Sequence, residues 1–244
     1  MKIINKLYLQ IIKKPKNKWL IILYLWLFGL PLLAKRLRYK FTKELLPNKI
    51  RGKRILDVGC TIGDFALILA EKGANVVGVD LKNRMRQAQK IAKIHQLKAK
   101  FIASDVNKLE YHYYFDGIIA LDIIEHIQND SKFIKKLNSM LRQSGFLILS
   151  VPSIYREIVE KREKEIGHVR TGYSKSQMTK LLTPLGFKIN DLFYVDTQDK
   201  IHSFYTTRSQ LKRLIIFPFL YLIARKKATK NEKGAILFCQ ATKK

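Results

Sequence analysis

The sequence predicts an α/β protein built on a seven-stranded, mainly parallel sheet with helices on both faces. Two observations carry this. From Lys53 onward, apolar runs of strand length alternate with stretches of helical periodicity, which is how a parallel sheet covered on both faces reads. The helical stretches are also punctuated as helices should be: Ser174 precedes one and Pro184 stops it, and Gly145 follows another. A chain of 244 residues can bury one sizeable core.

In order, strands are expected at 54–58, 75–79, 100–103, 115–121 and 145–151, with helices at 64–72, 84–95 and 128–141 between them. A polar loop, a helix at 175–182 and a strand at 187–195 follow. An uncharged apolar run, 214–224 (LIIFPFLYLIA), then interrupts the pattern, flanked by Lys212 and Arg213 and by Arg225, Lys226 and Lys227. A last strand at 235–240 follows Gly234. The domain is therefore expected over 46–244, with an apolar helical insertion at about 200–232, behind an N-terminal apolar and basic helical segment at 1–45.

That N-terminal segment contains a second uncharged run, 19–34 (WLIILYLWLFGLPLLA), bracketed by Lys13, Lys14, Lys16 and Lys18 and by Lys35, Arg36 and Arg38. Basic Lys35 and Arg36 stand where a signal peptide would carry its small-residue cleavage site. Sixteen residues with an internal Gly29 and Pro31 fall short of the roughly 20 needed to cross a bilayer. Three readings stay open: a helix lying in or dipping into an anionic leaflet, a spanning helix, and an ordinary core helix.

The charge points the same way. Lys and Arg number 47 against 19 Asp and Glu, a net charge of +28, so an anionic partner is expected. An anionic membrane surface fits better than nucleic acid, because the basic residues accompany apolar anchors and no RNA-binding module is legible. With only Cys60 and Cys239, no disulfide framework can be read, and a reducing, cytoplasmic, membrane-associated location is expected.

The first strand ends in Asp57-Val58-Gly59-Cys60-Thr61-Ile62-Gly63, and a helix begins at once. Glycines let the backbone approach a ligand, and a helix start offers free N–H groups. The spacing departs from the GxGxxG of a dinucleotide fold, since Asp64 stands where the last glycine would fall. Asp57, and Asp80 closing the second strand, suit a ligand with ribose hydroxyls and a cationic amino-acid portion but no phosphate.

With Val79-Asp80, Ala103-Ser104-Asp105, Phe115-Asp116 and Leu121-Asp122-Ile123-Ile124-Glu125-His126, this series over 53–152 resembles the successive motifs of the class I S-adenosylmethionine (SAM)-dependent methyltransferases, a Rossmann-like fold. The resemblance implies SAM as cofactor. Gly59 and Gly63, with Asp57 and Cys60 of the same turn, would line its methionyl portion. Asp80 would bind the ribose hydroxyls and Asp105 the adenine amine, with Leu81, Val106 and Leu121 alongside. Thr61 departs from the family pattern, which usually has a third glycine there; a β-branched residue tolerates fewer backbone conformations. The resemblance also implies a last strand antiparallel to its neighbours.

The segment Gly167-His168-Val169-Arg170-Thr171-Gly172-Tyr173-Ser174 resembles the region after the fifth strand in ubiquinone-biosynthesis and related small-molecule methyltransferases. His168 and Tyr173 are the catalytic candidates. His168 is either a general base for an acceptor hydroxyl or a loop-anchoring hydrogen-bonding residue. Asp122, Glu125 and His126, with His168 from the later loop, also have the ligand types for a divalent metal. Some ubiquinone-pathway and small-RNA methyltransferases carry a similar pattern and use one; elsewhere the Glu-His pair serves without metal. The expected acceptor is a small or lipid-like molecule, and an RNA methyltransferase or a non-catalytic membrane-bound scaffold are the alternatives.

Overall fold

The computed structural model describes residues 33–156, 167–196, 218–219, 221–223 and 228–244. The apolar run's residues 19–32 and most of the 200–232 insertion therefore lie outside the described residues. Among the described residues eight strands form one mixed sheet, β1 (Arg54–Val58), β2 (Asn75–Asp80), β3 (Ala99–Ala103), β4 (Phe115–Leu121), β5 (Leu141–Pro152), β6 (Phe187–Val195), β7 (Lys230–Asn231) and β8 (Ile236–Lys243). Their order is β3-β2-β1-β4-β5-β8-β6-β7. The strands β1 to β5 pair in parallel, β8 runs antiparallel to β5 and β6, and β7 runs antiparallel to β6.

The eighth strand corrects the expected seven: β7 is two residues long, too short to show any alternation in the sequence. β5 starts at Leu141 rather than at 145, because Leu141 pairs with Phe115 before the register shifts to Gly117 opposite Phe146. Gly117 is required there, since a Cβ on it would sit 2.0 Å from the Phe146 ring.

Five described helices of eight residues or more pack on the sheet: α1 (Leu33–Leu45), α2 (Asp64–Glu71), α3 (Arg86–Ile94), α4 (Asp130–Met140) and α5 (Lys175–Leu182). Asn129 and Ser174 cap α4 and α5 through their side chains, Ser174 in a capping box with Gln177. Successive strand residues face opposite ways. Ile55 and Ile119 join α1, α2 and α3 in one apolar cluster, while Leu56 and Ile118 join α4 and α5 in another, so helices do cover both faces.

The α1 helix shares this core. Leu37, Phe41 and Leu45 recur at helical spacing and are buried, and Phe41 lies 6.1 Å from Phe193 of β6 and 5.7 Å from Phe238 of β8, ring centroid to centroid. Ile236, which opens β8, pairs with Pro152 at the end of β5 and with Val195 at the end of β6. The connection from 196 to 235 therefore leaves and re-enters at the carboxyl ends of the parallel strands. Those ends form the crevice where ligands bind in open α/β sheets, at the point where strand order reverses. Here that point lies between β1 and β4.

Candidate active site

The turn after β1 is shaped by backbone bonds. The N–H groups of Gly59 and Cys60 both donate to Val79 O, at 2.8 and 3.1 Å, and Gly63 N–H donates to Cys60 O at 2.7 Å. Gly59 and Gly63 take left-handed backbone angles, with φ of 70° and 79°. A Cβ on Gly63 would strike the Phe101 ring and Ala88. Gly63 also opens α2 without a side-chain cap; in the helix's first turn Phe65 N–H donates to Asp64 Oδ1 at 3.1 Å and Leu67 N–H to Gly63 O at 3.0 Å. Thr61 adopts the left-handed region as well, at φ 51°. Its N–H donates to Asp80 Oδ2 at 2.9 Å, a charge-assisted bond that offsets the strain of a β-branched residue there.

An open cleft of about 270 Å³ lies above this turn, lined by Asp57, Gly59, Cys60 and Leu121 among the expected residues. Cys60 contributes backbone: its thiol is buried, and burial pushes its pKa far up. Asp80 and Gly63 are not among the lining residues; Asp80 bonds to Thr61, which is, and its Oδ1 accepts from Lys82 N–H at 3.0 Å, so each oxygen keeps a further lone pair for a ligand hydroxyl. Leu81 is 75% exposed beside it. At the end of β3, Asp105 Oδ1 accepts from Asn107 N and Nδ2 and caps a short turn, while Val106 points into the core rather than the cleft.

The cleft's other wall is α1, whose Lys35, Arg38 and Tyr39 were not among the expected site residues. Lys35 Nζ pairs with Asp64 Oδ2 at 2.5 Å, Arg38 Nε with Asp122 Oδ2 at 2.8 Å, and Tyr39 packs 4.6 Å from Phe65. These residues stand at i, i+3 and i+4, on one helix face. That spacing was the available signal, hidden because the same basic residues read as flanks of an apolar run.

Asp57 is buried under the cleft, its Oδ2 without a hydrogen-bond partner among the described residues, and burial, reinforced by Asp64, pushes its carboxyl up to about 8. A carboxyl that ionises near 4 when unfolded but near 8 when folded makes stability fall as pH rises between those values, because the unfolded chain then holds fewer protons. Asp57→Asn removes the titration. Denaturant unfolding should show the variant more stable by about 1–3 kcal/mol at pH 8 and nearly matched to wild type at pH 4; equal stability at pH 8 would contradict this account.

After β4, the loop from Gly167 is clamped onto the turn Ile124–His126. Val169 N–H donates to Glu125 O at 2.9 Å, His126 Nδ1 lies 3.1 Å from Gly167 O, and Arg170 Nη1 donates to Ile124 O and Ile127 O. The clamp brings His168 edge-on to His126, with ring centroids 4.7 Å apart. One ligand atom each of Glu125, His126 and His168 lie within 4.8 Å of one another. Glu125 is 1% exposed, both its carboxylate oxygens lack a hydrogen-bond partner among the described residues, and burial, then Asp122, pushes its pKa up to about 8.

Two of the expected site residues stand elsewhere. Asp122 is outside the cluster: one oxygen faces Arg38 and the other accepts from Ser150 Oγ at 3.1 Å. Its left-handed φ of 54° turns the side chain toward the cleft instead. Tyr173, the other catalytic candidate, is held in a hydrogen-bonded pair away from the cleft lining. It is 4% exposed, and its hydroxyl donates to Asp130 Oδ2 at 3.0 Å and accepts from Arg170 Nη1 at 2.9 Å. Burial and Asp130 hold that phenol protonated.

The family model described as "Methyltransferase domain" matches residues 33–214. The ubiquinone biosynthesis O-methyltransferase of Rickettsia typhi is 31% identical over 158 residues, a match that covers 62% of this chain and 62% of that relative's length. Among solved structures, a SAM-dependent methyltransferase from Mesorhizobium loti shares the fold with a TM-score of 0.60 at 16% identity, over 86% of this chain and 100% of that one. The magnesium protoporphyrin IX methyltransferase of Synechocystis PCC 6803, solved with bound SAH, does so with a TM-score of 0.55 at 17% identity, over 98% and 93%.

Proposed function

Since this chain belongs to the methyltransferase domain family, we propose that it is a SAM-dependent methyltransferase that acts on an oxygen of a small or lipid-like acceptor at a membrane surface. The observation that carries the reading is the cleft itself, where a glycine turn and buried carboxylates face two cations of α1. SAM supplies an electrophilic methyl on a sulfonium centre, and its amino-acid end carries both charges. Arg38 and Lys35 suit the carboxylate, Asp57 and Asp64 the ammonium and sulfonium, and Asp80 the ribose hydroxyls. The protein's work is then to hold donor and acceptor in line and to take the acceptor's proton.

The group at Glu125, His126 and His168 stands next to Asp122, which lines the cleft, and supports an oxygen acceptor because a hydroxyl must lose its proton. His168 serves as the base in this reading. A second reading, favoured by the unpartnered Glu125 oxygens, makes the three residues ligands of a divalent metal, which would lower the pKa of a bound hydroxyl. The contact from His126 Nδ1 to Gly167 O leaves Nε2 as the ligating nitrogen.

Calorimetry with SAM, and transfer of its labelled methyl to a lipid extract against total RNA, test the proposal. Arg38→Gln should weaken SAM binding about tenfold or more, as expected for a hydrogen bond to a charged group. Label entering RNA and not lipid would overturn the acceptor class; no SAM binding by the wild type would overturn the activity.

A further inference from the structure

Part of the connection between β6 and β8 is described, and it is helical at 218–219 and 221–223. Phe219, Leu222 and Ile223 are 70%, 62% and 45% exposed. They stand at i, i+3 and i+4, so the three apolar side chains share one face of the turn and have no hydrogen-bonding atoms to offer. Tyr221 points the other way, packs against the core, and lies under the guanidinium of Arg36, 3.6 Å from its ring centroid. Farther on, Lys40 Nζ donates to Ala228 O at 3.1 Å, and Ala228 is buried. The exposed turn is thus fixed to α1, one residue from Lys35 and two from Arg38 of the cleft wall, at the carboxyl ends of the parallel strands.

We infer that Phe219, Leu222 and Ile223 form a docking face for an anionic lipid bilayer, held by the Arg36–Tyr221 stack beside the mouth of the cofactor cleft. The inference rests on the membrane-surface reading above and identifies the surface responsible. In the sequence the apolar run is bracketed by Lys212 and Arg213 and by Arg225, Lys226 and Lys227, and the chain carries a net charge of +28. Apolar side chains that enter the interfacial layer, accompanied in the sequence by cations that suit anionic headgroups, are what such a surface binds. A second copy of this chain would bring the same positive charge against it, which opposes self-association through this face. An acceptor dissolved in the bilayer would reach the cleft without crossing water.

The test is sedimentation with vesicles of phosphatidylcholine and phosphatidylglycerol, and with phosphatidylcholine alone. Wild type should pellet with the anionic vesicles. The variant carrying Phe219→Ser, Leu222→Ser and Ile223→Ser should partition at least about tenfold more weakly, with its SAM dissociation constant off the membrane unchanged. A second variant, Lys226→Glu with Lys227→Glu, keeps the apolar turn and should lose preference for anionic over neutral vesicles. The inference is wrong if wild type does not pellet, if the serine variant pellets as wild type does, or if wild type is a dimer that the serine variant dissolves. None of these outcomes touches the methyltransferase reading, which SAM calorimetry on the same samples checks separately.

Discussion

His168→Ala is expected to lower turnover by about two to four decades, the usual contribution of a positioned acid–base group, with SAM affinity nearly unchanged. The structure gives the split its reason. His168 arrives on the loop clamped by Val169 N–H to Glu125 O and by Arg170 to the turn after β4, and it does not line the cleft where the cofactor is proposed to sit. Its loss should therefore reach the acceptor step and spare the donor. Chelation then separates its two roles: activity abolished by chelator and restored by added divalent metal assigns His168 to a metal with Glu125 and His126, whereas full activity in chelator leaves it the base. Turnover within a few-fold of wild type would reduce His168 to a loop anchor.

Asp80→Ala is the second large effect, and it falls on binding. The carboxylate is proposed to hold the ribose hydroxyls, and it also fixes Thr61 N–H at 2.9 Å and Lys82 N–H at 3.0 Å. Removing a charged hydrogen-bonding group costs about 1.5–3 kcal/mol, or one to two decades in the SAM dissociation constant. Release of Thr61 from φ 51° should place the result at the upper end, because the turn that receives the ligand loses its anchor. Asp80→Asn, which keeps one acceptor oxygen, should fall between the two. An unchanged dissociation constant in the alanine variant would remove Asp80 from the cofactor site.

Much of the fold was legible because its signals are local. The strands Arg54–Val58, Phe115–Leu121 and Phe187–Val195 and the helix Lys175–Leu182 match their expected bounds, since alternation, glycine breaks and the Ser174 cap act over a few residues. The turn from Asp57 to Gly63 was legible for the same reason: its glycines and carboxylates are adjacent in sequence. Other features depend on residues far apart in the chain. Lys35 and Arg38 become cleft residues only when Phe41 of α1 packs against Phe193 of β6 and Phe238 of β8, some 150 residues and more away. Tyr173 is tied down because Asp130, distant in sequence, lies within reach of its hydroxyl. Asp122 parted from Glu125 and His126 through one left-handed backbone angle and a cation supplied by α1. The sequence by itself determined the sheet, its helices on both faces and the glycine turn, because periodicity and turn chemistry are short-ranged. Only the tertiary structure decided which charges face the cleft, which tyrosine is tied down and which apolar turn is left bare, because each of those is set by a partner that packing brings from elsewhere in the chain.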